Sequence, residues 1–224
     1  MSVVRSLMLF AFSGVFAMSA AAVTTLGQPP QPQSSPPKTI LLDADGNKLT
    51  DEEFVDLRLA NRIGKDPATK TVLEDGTIQF KLSKIPEEGT DAPVFSAHMI
   101  DGKFIDAADL KGKVVVLNFW FIGCPGCMEE MPKLNELAAK YNDRDSAVFI
   151  AVATNTAQEL RQFLMRNKFD YKMIGSGKPV IDLFHFSGYP RNIVIGKDGK
   201  IAYWRTVVRA WNKFDSTIAA ELAK

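Results

Sequence analysis

Residues 119–132 read FWFIGCPGCMEEMP, and they contain Cys124 and Cys127, the only two cysteines of the 224-residue chain. Ahead of them, Val114 to Phe121 is continuously apolar except for Asn118. Such a run suits a central strand covered on both faces. Behind them, helical spacing runs to about Tyr141. Pro125 fits the first helical position, where a backbone N–H has no intrahelical use. Cys124 therefore stands at a helix start, where unpaired N–H groups and the macrodipole stabilise an anion. Thiols in such places ionise at about 3.5–7.5 instead of about 8.5. Two intervening residues on a first turn bring the sulfurs within bridging distance. Cys124 reads as an exposed attacking thiolate and Cys127 as the sheltered resolving thiol.

At roughly 100° per residue, Glu130 falls within about 60° of Cys127, whereas Glu129 points nearly opposite. Leu134 shares the Cys127 side, so Glu130 faces inward beside the sheltered thiol. A carboxylate there is placed to take or return the thiol proton. Glu129 is expected to pair with Lys133 on the surface. Pro132 removes the N–H that would reach the carbonyl of Met128, so a bend is expected there. Met131, Leu134, Leu137, Ala138 and Tyr141 read as core.

A second constellation, Phe186-Ser187-Gly188-Tyr189-Pro190-Arg191-Asn192, precedes a strand-like run. Proline has no place in a strand interior. Read as a cis-proline beside the cysteines, Pro190 blocks metal entry and leaves the Tyr189 backbone to hold a partner peptide in β-like pairing. Other elements follow from pattern. Val94–Ala97 and Lys103–Ile105 flank a turn at Asp101-Gly102, and Ala147 to Ala153 is a buried strand. Thr156–Glu159 caps a helix carrying Leu160, Phe163 and Leu164. Asn192–Ile195 and Ile201–Trp204 form a hairpin, and a closing helix from near Asn212 carries Phe214, Ile218 and Leu222. The order βαβα then ββα, with the cysteine pair at a strand-to-helix junction, predicts an α/β thioredoxin-like fold over 90–224, a central mixed sheet flanked by helices.

The preceding residues divide into three parts. Arg5, an apolar run from Leu7 to Phe16 and small residues to Ala22 have the layout of a signal peptide over 1–22. This implies export to the periplasm or another extracytoplasmic space, either free or held by an uncleaved N-terminal anchor. Residues 23–38, rich in Pro and Gln, read as a linker or stalk. Residues 39–89 read as a small α+β module: Ile40–Leu42 strand-like, a capping box at Thr50 and Glu53, and a hairpin around Asp75-Gly76. Asp43-Ala44-Asp45-Gly46-Asn47 is a plain turn, because its glycine falls at position 4 where a calcium loop needs it at about position 6. This module shows no chemistry in its sequence.

From about Ala92 to Lys224 the chain resembles the extracytoplasmic thioredoxin-like proteins of the TlpA type, which include cytochrome c-maturation reductases. The resemblance is carried by KGKVVVLNFW, the CxxC, EEMPKLNEL, G-x-P before a strand and a KDGKI hairpin. It implies a thiol–disulfide oxidoreductase with Cys124 as nucleophile, Cys127 as resolver, Pro190 as cis-proline and Glu130 as the glutamate that tunes the pair. It implies no cofactor and no resident metal. The implied partners are proteins with disulfides or thiols, apocytochrome c among them, and a membrane or periplasmic electron donor. Asn118 stands where cytoplasmic-type thioredoxins keep a buried aspartate. Three features depart from the pattern: Gly123 in place of tryptophan, Pro125-Gly126 between the cysteines, and Tyr189 with Arg191-Asn192 around the proline. They change the surface a partner would meet.

Two other classes compete. The cysteines joined by His98 or His185 would make a copper(I) or zinc module. A thioredoxin-like interaction domain with an inert disulfide would need no thiolate at all. Peroxide reduction would place a lone cysteine after a Pro-x-x-x-Thr run, and no such run leads into Cys124 or Cys127. Without residues 1–22 the chain holds 26 basic and 26 acidic side chains. That balance gives no broad attraction to nucleic acid or anionic membrane.

Overall fold

The computed structural model describes residues 36–60, 68–83, 87–141, 145–186 and 188–224. The expected signal peptide and all but the last residues of the linker lie outside them. All seven residues of strand β6 (Val114–Trp120) are buried. β6 pairs in parallel with β7 (Ala147–Ala153) and antiparallel with β9 (Arg191–Ile195). Outside these lie β8 (Lys172–Ile174) and β10 (Ile201–Arg205), giving the order β10-β9-β6-β7-β8. This is the mixed sheet the sequence predicts.

Strand periodicity of two splits β6 between two cores. Val114, Val116 and Trp120 face the layer holding helices α3 (Pro125–Lys140) and α6 (Trp211–Ala223). Val115, Leu117 and Phe119 face the opposite layer, which includes Phe95, Val180 and Ile181. Asn118 therefore projects toward α3. Met131, Leu134, Leu137 and Ala138 of α3 and its C-cap Tyr141 are buried as expected, as are Phe214, Ile218 and Leu222 of α6. Each such Leu, Ile, Met or Phe side chain contributes about 1.5–3 kcal/mol of burial. Helix α3 continues through Pro132 to its C-cap at Tyr141.

Elsewhere the pattern holds with shorter bounds. The first hairpin shrinks to β4 (Ala97–His98) and β5 (Phe104–Ile105), with Val94 left exposed. A short helix, α2 (Ala107–Leu110), follows. Helix α4 (Ala157–Leu164) opens on the expected capping box, Thr156 and Glu159 exchanging bonds with each other's backbone. Neither β8 nor α5 (Lys178–Leu183) is foreshadowed by pattern, because three and six residues are too few for a period to register. Gly177 starts α5 hard against β7: a Cβ there would lie 2.4 Å from Val152 Cγ1, so only glycine fits.

The N-terminal residues form their own sheet, in which β3 (Ile78–Leu82) pairs antiparallel with β2 (Ala68–Val72) and parallel with β1 (Thr39–Leu42). Helix α1 (Asp51–Ala60) is capped by Thr50 and Glu53. The Asp43 carboxylate accepts from the N–H groups of Asp45 and Asn47, closing a turn. Ala60 is buried in the second core and Leu57 packs against it. Among the described residues no helix is long and apolar enough to cross a membrane.

Candidate active site

Cys124 is the N-cap of α3, and its Sγ accepts from the Cys127 N–H at 3.3 Å. The two cysteines are joined as a disulfide, with Cα atoms 5.3 Å apart. Cys127 is 2% exposed, as a sheltered thiol should be. Cys124 is also buried, at 3%. The exposed sulfur expected from the motif is thus corrected. An N-cap side chain turns back over the first turn to meet the free N–H groups, and here it also bonds to Cys127. Both sulfurs join the core cluster of Trp120, Met131 and Val208, with Ile122 and Tyr189 packed against it.

Gly123 takes a φ of +92° and is exposed, with open space around its Cα. A residue with a side chain is strained in that conformation, so tryptophan would not sit here without moving the turn. Pro125 is exposed at the helix start. Gly126 faces the second constellation: a Cβ there would lie 3.3 Å from Pro190 Cδ and 3.9 Å from Val207 Cγ2. The Tyr189–Pro190 bond is cis. Pro190 is buried against the cysteine-bearing turn, while Tyr189 is half-buried between the rings of Phe121 and Phe186. Arg191 is buried beneath, its guanidinium over the rings of Phe186 and Trp204, and burial lowers its pKa to about 10.

Glu130 lies one turn beyond Cys127 on the same helix face and is 2% exposed. Its Oε2 accepts from Asn192 Nδ2 at 2.9 Å, and its Oε1 accepts from the Val208 N–H. Asn192 in turn accepts from Asn118 Nδ2 at 2.9 Å and donates to the Thr206 carbonyl at 3.2 Å. Burial raises the Glu130 pKa to about 7; the two hydrogen-bond donors oppose that rise, and the nearby charges of Asp56 and Glu129 add to it. Desolvation outweighs the donors because both are neutral dipoles, which do not replace the lost hydration of a full charge. A carboxyl of this kind exchanges its proton near neutral pH.

Two other expectations change. Lys133 pairs with Glu136 at 2.7 Å, one turn further along, instead of with Glu129. His98 is exposed against Phe104, and His185 is exposed as well. Among the described residues no group of three or more His, Cys, Asp or Glu side chains is gathered to hold a metal ion, so neither histidine joins the cysteines. The sequence reading missed Asn192, the Val208 N–H and Asp56. Asn192 sits in a strand-like run with no signal beyond its polarity, and a backbone N–H leaves no trace in sequence.

A chain with this thioredoxin-like sheet, a disulfide at the start of α3 and a proline packed on that turn matches a known family profile. The redoxin profile aligns with residues 87–222. The chain belongs to the redoxin family. This redoxin is 35% identical over 116 residues to the thiol-disulfide oxidoreductase ResA of Bacillus anthracis, covering 50% of this chain and 66% of that one. It is 34% identical over 123 residues to ResA of Bacillus cereus strain ATCC 10987, covering 54% and 71%. Among solved structures it is similar to a candidate thioredoxin of Neisseria meningitidis, at 32% identity and a TM-score of 0.54, over 59% of this chain and 90% of that one. The thioredoxin-like fold of this redoxin therefore agrees with its relatives. The matches to ResA span about two thirds of those proteins, and the profile leaves α1 and its sheet outside.

Proposed function

We propose that this redoxin is an extracytoplasmic thiol–disulfide oxidoreductase that acts mainly as a reductase of partner-protein disulfides. The observation that carries the reading is the Cys124–Cys127 disulfide at the start of α3, with Pro190 against Gly126 on one side and Glu130 one turn beyond Cys127 on the other. In the reduced protein, the Cys124 thiolate attacks one sulfur of a partner disulfide. The S–S bond breaks, the partner's other sulfur leaves as a thiolate, and a mixed disulfide forms. Cys127 then gives up its proton to Glu130 and attacks Cys124 Sγ. This closes the intramolecular disulfide and releases the second partner sulfur, which takes the proton back. Two electrons pass from the dithiol to the partner, and a thiol-bearing electron donor must return them. Tyr189, next to Pro190, offers its backbone to the partner segment, and Gly123, Pro125 and Gly126 shape the contact.

Direction follows from potential. Dithiols on this fold span about −270 to about −120 mV. Pro125-Gly126 places no cation between the cysteines to stabilise the Cys124 thiolate, which favours the reducing end. The thiol–disulfide oxidoreductase activity named for the ResA relatives supports the activity class, and the resemblance to cytochrome c-maturation reductases makes apocytochrome c a partner of the fitting chemistry.

The test is a trap. A reduced Cys127→Ser variant, exposed to an extracytoplasmic extract, is expected to accumulate a mixed disulfide through Cys124 that dithiothreitol releases, and Cys124→Ser is expected to give none. A Cys124→Ser variant that keeps the wild-type rate of disulfide reduction would overturn the reading in favour of an inert disulfide. A potential at the oxidising end, measured against glutathione, would reverse the direction.

A further inference from the structure

Helix α1 lies ahead of the residues that the redoxin profile matches, yet it supplies a buried carboxylate that reaches the strap between β10 and α6. Asp56 is 1% exposed. Its Oδ1 accepts from the Arg209 N–H at 2.9 Å, and its Oδ2 accepts from the N–H groups of Arg209 at 3.0 Å and Ala210 at 2.8 Å. Ala210 is the N-cap of α6 and makes no side-chain cap of its own, so Asp56 satisfies free N–H groups at that helix start. Three residues earlier on the same side, Thr206 Oγ1 donates to the Leu59 carbonyl at 3.3 Å. The opposite side of the strap belongs to the redox site: the Val208 N–H donates to Glu130, and the Thr206 carbonyl accepts from Asn192. Residues 206–210 are therefore held between two buried carboxylates, one from α1 and one from α3.

We propose that Asp56 is a positioning residue of the dithiol site: it holds the 206–210 strap on α1 so that the Val208 N–H stays on Glu130, and it sets its own negative charge across the strap from that glutamate. The N-terminal module then completes the proton-handling side of the site. The functional weight of this rests on the reading of Glu130 as the proton partner of Cys127, but the positioning itself does not depend on turnover. The ionisable groups whose charge Glu130 feels are Asp56 from α1 and Glu129, exposed on its own helix, and Tyr171 ahead of β8 and Tyr203 on β10 feel its charge in turn. Those facing Asp56 are Arg205, itself paired with Glu88, and Arg209, with Tyr203 beyond. Burial raises the Asp56 pKa, and the N–H groups and the two arginines hold the rise back.

The geometry separates clamp from charge. Oδ2 accepts both N–H groups, so Asp56→Asn with its oxygen in that place keeps the Ala210 bond and one Arg209 bond, loses the Oδ1 acceptor of Arg209 and removes the charge, while Asp56→Ala removes every bond and the charge. In the oxidised full-length chain, the Glu130 carboxyl is followed by carbon NMR against pH and the Val208 amide by hydrogen exchange. In Asp56→Asn the Glu130 midpoint is expected to fall by roughly half a pH unit, with Val208 exchange rising less than in Asp56→Ala. In Asp56→Ala, Val208 exchange is expected to rise at least about tenfold and the Glu130 midpoint to lie above that of Asp56→Asn, because a donor that favours the anion has left. Wild-type exchange at Val208 in Asp56→Ala would overturn the proposal. If the alanine variant does not fold, an unmoved Glu130 midpoint in Asp56→Asn overturns it instead. A dithiol that proves inert in the Cys124→Ser comparison removes the functional reading and leaves both readouts of Asp56 standing.

Discussion

Asn118 and Asn192 stand opposite each other across β6 and β9, and the amide of the first donates to the side-chain oxygen of the second at 2.9 Å. This fixes the Asn192 amide so that its NH2 group points to Glu130 and the Thr206 carbonyl. The result is a buried chain of one polarity running from the central strand to the carboxyl beside Cys127.

Asn118→Asp breaks that polarity. A carboxylate at 118 would face the Asn192 oxygen, and turning the Asn192 amide to relieve this would aim its oxygen at Glu130. The cost of a buried unmatched polar pair is about 1–3 kcal/mol. It should be larger at pH 8, where Glu130 is ionised, than at pH 5.5. Urea unfolding at the two pH values measures it, and equal stability to wild type at pH 8 would show that the chain of bonds has no such polarity.

Glu130 links folding to pH. Its pKa is about 7 in the folded protein and 4.5 as an ordinary glutamate, so between those values the folded state holds a proton that the unfolded state has lost. Stability must then fall as pH rises from about 4.5 to 7 and level off above, by about 3 kcal/mol in all. In Glu130→Gln this share of the slope should vanish, whatever the absolute stability of the variant. An unchanged slope between pH 5 and 7.5 would assign the titration to another group.

The same substitution bears on the reaction. With no carboxyl to relay the Cys127 proton, resolution of the mixed disulfide is expected to slow by about 10²-fold at pH 7. The limb of the pH–rate profile near 7 should disappear with it, whereas the first attack by Cys124 keeps its rate. Stopped-flow kinetics of the two steps separates these outcomes, and a loss confined to the first step would place Glu130 elsewhere in the mechanism.

Gly126 is small because Pro190 is seated on it. For alanine, a helix gain of up to about 1 kcal/mol over glycine opposes a Cβ contact of 3.3 Å to Pro190 Cδ, so little net change is expected. Valine adds stiff branches beside Pro190 and Val207, at about 1–3 kcal/mol, and should slow exchange with protein disulfides about tenfold through the displaced Pro190 turn. Thermal unfolding and exchange rates of the two variants decide it; a valine variant equal to wild type in both would mean that the packing does not shape the site.

The parts of this fold that repeat were legible. The apolar run at Val114–Phe121, the CxxC at a helix start, and the capping boxes at Thr50 and Thr156 each act within a few residues, so the chain carries their signal locally. By the same logic helical spacing put Glu130 on the buried side of α3. β8 and α5 escaped because short elements are stabilised by what they pack on, as Gly177 against Val152 illustrates.

The sequence by itself determined the thioredoxin-like sheet, the place of both cysteines and the inward face of Glu130, because period, capping and helix geometry are local properties. Only the tertiary structure decided that Cys124 is buried along with Cys127, that Asn192 and Val208 hold Glu130, and that Asp56 reaches the strap on the far side. Those relations join residues 62 to 154 positions apart. They rest on desolvated hydrogen bonds whose partners come together only once the sheets have packed.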